Sequence, residues 1–204
     1  VTYVADNPLV IEFPIVLQAR LRQATLGQFD VDEAGEVSFD LDCRSSKITL
    51  MHEVLEKDFE KESALILTDS QKFADVAVHR INQKYGAGSA AAWHGNVTQA
   101  KREEIKAAFM KGEIKYIVAV ISALAEGVDG LQFGTRNVLW LSRSSNRLMN
   151  FQAIFRVFRR GQENQVRNIE LVALDTLDEG VLSSQMLAQL QMNKTLRAGR
   201  DTIE

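Results

Sequence analysis

Short apolar runs alternate with amphipathic helical windows along most of the chain. The runs lack polar alternation, which is typical of strands covered on both faces. Five of them predict strands, at 64–68, 90–94, 116–121, 138–141 and 169–174. Helical windows lie between and after them, at 71–84, 98–111, 150–160 and 177–196. This order predicts an α/β fold with an open, mostly parallel sheet and helices on both faces.

A different pattern precedes these units. Residues 15–26 predict an amphipathic helix, and residues 29–42, with Gly35 among acids, predict a loop or a short hairpin. Ser45 or Ser46 is placed to cap the next helix, whose apolar residues recur from Ile48 at helical spacing. We therefore divide the chain into an N-terminal helical linker segment, 1–45, and an α/β domain, 46–204.

Composition excludes several classes of protein. With 204 residues the chain has room for one generous domain, and its single cysteine excludes an internal disulfide. The three histidines are scattered, so we expect no metal site. No apolar stretch is long enough to predict a membrane span, and no signal peptide is evident, so a cytoplasmic location is expected. Because the chain begins at Val1 and not at methionine, we expect a processed product or a fragment.

Positive charge is concentrated late in the chain. Residues 143–167 contain no lysine and a single acid, Glu163. The arginines are Arg143, Arg147, Arg156, Arg159, Arg160 and Arg167. The planar guanidinium group binds two phosphate oxygens at once, so this density favours an anionic ligand. A solvated helix face explains the charge equally well.

Polar residues and glycines follow the predicted strands. In an open parallel sheet, ligands bind beyond the carboxyl ends of the strands. The residues expected there are Asp69, Ser70, His94, Ser122, Gly127, Asp129, Asn146 and Gln152. Their shared placement favours one anionic ligand over a set of unrelated turns.

The usual nucleotide-binding loops are absent from the sequence. It contains neither G-x-x-x-x-G-K-[ST] nor G-x-G-x-x-G, which supply the backbone cradle for phosphates. It also lacks an acidic pair after an apolar strand, the arrangement that holds Mg²⁺ and positions water. The chain alone is therefore predicted to be catalytically inactive.

Residues 152–162, QAIFRVFRRGQ, resemble motif VI of superfamily-two helicases, Q-x-x-G-R-x-x-R-x-G-Q, in its Swi/Snf-like form. Residues 122–129 are similar to motif V and residues 64–71 to motif IV. Asn146 falls where that group carries the asparagine of its W-N-P signature. The resemblance covers nearly the whole chain and is strongest from 64 to 174.

The resemblance implies the second, C-terminal RecA-like lobe of an ATP-driven nucleic-acid motor, with 1–45 derived from the region between the lobes. Arg156 and Arg159 would then be arginine fingers that reach the phosphates of ATP. Beside the nucleotide it implies Gln152, Gly127 and Asp129, and on the nucleic-acid backbone Ser122, His94, Asp69, Ser70 and Asn146. ATP and Mg²⁺ would be held mainly by the N-terminal lobe of the same protein, and the nucleic acid would be double-stranded DNA. Burial of both guanidinium groups against internal carboxylates, away from the crevice, would contradict the finger assignment.

The sequence departs from the family pattern at several positions. Phe155 replaces the usual glycine before the first arginine, Ser145 and Arg147 replace tryptophan and proline, and Asp129 stands where asparagine is common. This divergence fits a bacterial or viral origin. Two other functions stay open: a non-catalytic module that binds nucleic acid or a protein, and a nucleotide-dependent transferase, which the missing phosphate loop disfavours.

Overall fold

Strands in the described part of the chain form three sheets. The structure, a computed structural model, describes residues 2–4, 7–9, 14–124, 128–184 and 186–187. Two small antiparallel hairpins come first, β1 (Thr2–Val4) with β2 (Asn7–Leu9), and β3 (Asp30–Val31) with β4 (Val37–Ser38). The strands of the central sheet are β5 (Ala64–Thr68), β6 (Ala90–Trp93), β7 (Tyr116–Val120), β8 (Asn137–Trp140) and β9 (Arg167–Glu170).

The central sheet has the strand order β6-β7-β5-β8-β9, and every pairing in it is parallel. Leu65 of β5 lies opposite Ile117 of β7 on one side and Val138 of β8 on the other. The predicted α/β fold with an open parallel sheet is therefore confirmed. Because all five strands run the same way, their carboxyl ends share one edge of the sheet.

Helices connect the strands. They are α1 (Pro14–Ala24), α2 (Ser46–Glu53), α3 (Gln71–Tyr85), α4 (Gln99–Met110), α5 (Ile121–Leu124) and α6 (Arg147–Ile154). A π-helical turn (Val54–Asp58) extends α2, a 3₁₀ turn (Leu131–Phe133) precedes β8, and residues 177–184 are helical. The side chains of Ser45, Ser70, Thr98 and Asn146 cap α2, α3, α4 and α6 by accepting a backbone N–H of the first turn.

The core lies on both faces of the sheet. All residues of β5, β7 and β8 are buried, as their unbroken apolar runs predicted. Phe73 of α3, Phe109 of α4 and Trp93 of β6 are each at most 1% exposed. β9 is less buried and forms an edge of the sheet, which fits its more polar sequence.

Two predicted boundaries were wrong. The helix expected at 150–160 spans Arg147–Ile154, because Asn146 caps it early and the N–H groups of Arg156 and Val157 bond carbonyls only three residues back. This tighter turn ends the helix without a proline. The last strand is Arg167–Glu170 and not 169–174, since the N–H of Arg167 already bonds the carbonyl of Arg136.

The N-terminal segment contains the predicted helix, α1, and the predicted hairpin, β3 with β4. The β1–β2 hairpin was not predicted. Of the helical window at 177–196, residues 185 and 188–196 lie outside the described residues.

A buried ion pair joins the start of α2 to the C-terminal helix. Lys47 Nζ lies 2.5 Å from Asp178 Oδ2 and donates a second hydrogen bond, also 2.5 Å, to the carbonyl of Leu141. The side chains of Lys47 and Asp178 are only 4% and 13% exposed. Thr25, which follows α1, donates its hydroxyl to the same carboxylate. Segments from both ends of the chain are thus fixed to the end of β8.

In the part of the chain that the structure describes, no helix combines the length and apolar character needed to cross a lipid bilayer.

Gly134 lies against the ring of Phe109. A Cβ atom at residue 134 would come 2.6 Å from two ring carbons, and Phe109 is too deeply buried to move aside. The backbone at Gly134 has φ of −92°, so only this contact opposes a side chain. We expect Gly134→Ala to lower the free energy of unfolding by roughly 1–3 kcal/mol, the usual cost of overpacking a core. Urea titration measures it. Gly95→Ala, at a glycine with open space around it, is the control, and equal losses in both variants would contradict the analysis.

Three side chains donate hydrogen bonds to Glu62 at the amino edge of the sheet. Glu62 accepts hydrogen bonds from Arg136 at 2.8 and 3.0 Å, from Asn137 Nδ2 at 3.2 Å and from Arg167 at 2.8 Å. These donors, Arg136 above all, lower the pKa of Glu62 to about 2. The carboxylate therefore stays charged far below its ordinary range.

This shift predicts a pH dependence of stability. Because the folded pKa lies below the unfolded one, the stabilisation by Glu62 is complete above about pH 4.5 and is lost as the pH falls towards 2. We expect Glu62→Gln to lower the melting temperature at pH 7 by a few degrees and to flatten its fall between pH 4.5 and 2. Glu104→Gln, on the exposed face of α4, is the control. Identical pH profiles for Glu62→Gln and the unmodified chain would refute this role.

Candidate functional site

The carboxyl edge of the sheet collects the candidate residues. Asp69 follows β5, His94 follows β6, Ser122 lies in α5 directly after β7, and Asn146 precedes α6 after β8. This grouping follows from the parallel strands, since each strand delivers its next residue to the same edge.

Asp69 is held by neighbouring side chains. Its carboxylate forms an ion pair with Arg22 of α1 and accepts a 2.6 Å hydrogen bond from the hydroxyl of Ser142. The backbone N–H of Asp69 donates to that same hydroxyl oxygen at 3.0 Å, and Thr68 lies 3.1 Å from it. These contacts tie the ends of β5 and β8 together, and they occupy the carboxylate that we expected at the nucleic acid.

Three hydroxyl or amide side chains at this edge are more accessible. Ser70 accepts the N–H of Phe73 as a helix cap, which leaves its hydroxyl hydrogen available. Ser122 is exposed on α5, and Asn146 is exposed although its side-chain oxygen caps α6. Neutral donors of this kind suit contacts with phosphate oxygens.

His94 is buried. Its Nε2 lies 3.1 Å from Oδ1 of Asp75, and its side chain is 9% exposed. The guanidinium of Arg102 donates to the carbonyl of His94 at 2.9 Å and lies over the ring of Trp93. Of the residues expected to contact nucleic acid, His94 is therefore the least accessible.

Arg156 links the turn after α6 to the segment after β7. Its Nε donates to the carbonyl of Leu124 at 3.0 Å and one terminal nitrogen donates to that of Val128 at 3.2 Å. Asp129 lies 3.7 Å from the same nitrogen. The side chain of Arg156 is 14% exposed, so this guanidinium is an anchor between the two regions as well as a charge at the site.

Arg159 forms an ion pair with Asp129 on the surface. The arginine side chain is 42% exposed and the aspartate side chain 68% exposed. Asp129 thus faces both arginines, and it is an exposed carboxylate rather than an internal one. Burial of both guanidinium groups against internal carboxylates would have contradicted the arginine-finger assignment. The structure does not show such burial, and the assignment itself stays a prediction.

Most arginines of the 143–167 segment have partners. Arg143 pairs with Glu170 at 2.7 Å, and Arg167 pairs with Glu60 and Glu62. Within the described residues, Arg160 has neither an ion pair nor a side-chain hydrogen bond and is exposed. The positive charge of this segment is thus largely balanced locally.

Residues 46–161 match the family model described as the helicase conserved C-terminal domain. The match covers more than half of the chain. The chain belongs to this helicase C-terminal domain family.

Solved structures agree with the family. The C-terminal part of the Fun30 ATPase domain superposes with a TM-score of 0.61 at 19% identity, over 69% of this chain and 45% of that one. The Pyrococcus furiosus Hef helicase domain gives 0.51 at 19% identity, over 70% and 29%. This chain thus spans less than half of either structure. At this identity the likeness shows the fold alone, which is a RecA-like domain with an open parallel sheet. No curated protein sequence matches the chain.

Two expected nucleotide contacts of the helicase domain are less well defined. Gln152 is half-buried on α6, and Gly127 lies outside the described residues. A further motif VI residue, Gln162, donates its amide to the carbonyls of Gln132 and Thr135 at 2.8 and 2.9 Å. These bonds fix the end of the motif to the turn before β8.

The sequence did not predict that Arg22 and Ser142 would contact Asp69 at this edge. Arg22 contacts Asp69 from 47 positions away, and Ser142 contacts it from 73 positions away. Such pairs leave no local pattern.

The two motif VI arginines should differ in their effect on stability. Arg156→Ala would leave the carbonyls of Leu124 and Val128 without these donors, and we expect it to lower the free energy of unfolding by roughly 1–3 kcal/mol. Arg159→Ala removes only an exposed ion pair, so its effect should stay below about 1 kcal/mol. Chemical denaturation of both variants measures the difference. A larger loss for Arg159→Ala would overturn this division of roles.

Proposed function

We propose that the chain is the C-terminal motor lobe of an ATP-dependent DNA helicase or translocase. The observation that carries the proposal is the exposed Arg159–Asp129 pair beside Arg156, between the segment that follows β7 and the turn that follows α6. The family match supports the motor class. The nucleotide would be held mainly by an N-terminal RecA-like lobe, because this sequence contains no phosphate-binding loop.

Arg159 is the side chain that would reach the nucleotide. Its guanidinium is accessible and its partner, Asp129, lies on the surface, so a phosphate group of higher charge density can replace that carboxylate. Arg156 would stay on the carbonyls of Leu124 and Val128 and add positive charge from a fixed position. A cation supplied across a cleft in this way stabilises the charge on the transferring phosphoryl group.

In this proposal Mg²⁺ is held by the N-terminal lobe, across the cleft between the two lobes. Among the described residues there is no group of three His, Cys, Asp or Glu side chains that could hold a metal ion. The donor set at this edge consists instead of guanidinium, hydroxyl and amide groups, which fit phosphate oxygens. When bound by the other lobe, Mg²⁺ would neutralise part of the triphosphate charge.

The nucleic acid would be held through its phosphates. Ser70, Ser122 and Asn146 offer exposed or half-exposed donors along the carboxyl edge. Contacts of this kind do not read bases, so binding should depend weakly on sequence and strongly on salt. Duplex DNA is the proposed substrate.

The arginine assignment can be tested in the protein that carries both lobes. Arg159→Ala should lower ATP turnover by about 10³-fold or more, since arginine fingers contribute ~10³–10⁵ in rate. ATP affinity should change only severalfold, because the other lobe holds most of the nucleotide. Steady-state hydrolysis and equilibrium nucleotide binding measure the two quantities.

Lys101→Ala is the matched control, since it removes one positive charge from an exposed position on α4. Unchanged turnover in Arg159→Ala would refute the finger assignment. If the unmodified protein binds nucleic acid but does not hydrolyse ATP, the result would instead favour a non-catalytic binding module.

A further inference from the structure

Strand β9 leaves one edge of the central sheet open. The N–H groups of Arg167 and Leu171 bond carbonyls on the β8 side. Because backbone groups alternate in direction along a strand, those of Asn168 and Glu170 point away from β8. No residue in the described ranges bonds these outward N–H and C=O groups. β9 therefore presents backbone donors and acceptors that a further strand could use.

The opposite edge of the sheet, at β6, is closed by a side chain. Asn82 of α3 accepts the N–H of Ala90 at 2.8 Å and donates to the carbonyl of Ala90 at 3.2 Å. Residues 166–172, in contrast, include neither proline nor lysine, which commonly protect an open edge. The two charged side chains of β9 form ion pairs within this chain. One edge is thus blocked, and the other can accept a strand.

We propose that β9 is a dimer interface, at which it pairs antiparallel with β9 of a second copy of this chain. A two-fold axis beside Ile169 would relate the two identical edges. The outward groups of Asn168 then face those of Glu170 in the second copy, and the two such pairs form about four backbone hydrogen bonds.

The side chains of β9 support this register. Asn168 Oδ1 accepts a 2.7 Å hydrogen bond from Trp140, which leaves its NH₂ group to donate. Glu170 Oε1 accepts a 2.7 Å bond from Arg143, and no described residue bonds Oε2. Pairing around Ile169 brings the amide of each copy beside the carboxylate of the other. Pairing centred on Glu170 would set two carboxylates directly opposite each other, which destabilises a sheet.

Exposed apolar side chains flank both ends of β9. Phe158 is 62% exposed and shares a cleft with Asn168, near the start of the strand. Met186 is 60% exposed and shares a second cleft with Glu170, at the end of the strand. Ile154 lines both clefts, so they lie on the α6 face of the sheet. Antiparallel pairing sets the start of one strand against the end of the other, and Phe158 of each copy then faces Met186 of the other.

A second copy fits this edge better than an unrelated strand. The amide and the exposed phenylalanine at one end find their complements, a carboxylate and a methionine, at the other end of the same edge. An edge that is complementary to itself is what a two-fold interface requires. The proposal does not depend on the motor function, because the interface uses neither Arg156 nor Arg159.

Sedimentation velocity of the full chain measures the association. We expect a monomer–dimer equilibrium between low micromolar and near-millimolar concentration. Asn168→Pro should abolish the dimer, because it removes an outward N–H and blocks the edge without breaking a bond to β8. Asn168→Ala is the matched control: it loses the same contact with Trp140 but keeps the N–H, so it should weaken the dimer only severalfold. Thermal unfolding establishes that both variants are folded.

Cysteine cross-linking tests the register independently of the proline variant. In the proposed register Ile169 forms a non-hydrogen-bonded pair with its counterpart, with Cα atoms about 4.5 Å apart, a distance that a disulfide spans. Ile169→Cys should therefore give a cross-linked dimer under mild oxidation. Asn168→Cys should not, because its two copies would lie roughly 8–9 Å apart. The native Cys43 is buried, so the unmodified chain provides the background.

Three results would overturn the proposal. The first is a monomer at every concentration. The second is a folded Asn168→Pro variant that dimerises as the unmodified chain does. The third is cross-linking of Asn168→Cys that equals or exceeds that of Ile169→Cys. None of these results bears on the motor proposal, whose readout is turnover in Arg159→Ala.

Discussion

Burial of both faces of β5, β7 and β8 is the constraint on which the rest of the structure depends. No residue in these strands contacts solvent freely, so helices must cover the sheet on each side. The covering helices also connect successive strands of the sheet, so all five strands run in the same direction. The faces cannot accept polar groups, so these groups lie beyond the ends of the strands, as Asp69 and Ser142 do where β5 and β8 end.

The fold was predictable because its signal is local and repeated. Each of the five runs became a strand, and Ser45, Ser70, Thr98 and Asn146 each cap a helix. The early end of α6 was not predictable, since no glycine or proline marks it. It depends on the turn beside Arg156, whose guanidinium bonds carbonyls some thirty positions earlier. Long-range hydrogen bonds of that kind override local helix preference.

The sequence allowed us to predict where the site lies, but not which contacts its side chains make. The parallel topology brings strand ends together, whichever side chains they carry. Partners from other parts of the chain decide which of those side chains remain available. Arg22 and Ser142 bind Asp69, and Asp75 binds His94. The exposed pair of Arg159 and Asp129 differs from these because both groups stay at the surface. Accessibility, and not charge alone, separates a replaceable contact from a fixed one.

The pairing of Lys47 with Asp178 has a consequence for the limits of the autonomous folding unit. The family match ends at residue 161, yet the carboxylate that neutralises a nearly inaccessible ammonium group lies 17 positions beyond that limit. Removing one member of such a pair leaves an uncompensated charge in a medium of low polarity, which typically costs 3–5 kcal/mol. The minimal self-sufficient domain is thus longer than the segment by which its relatives are recognised.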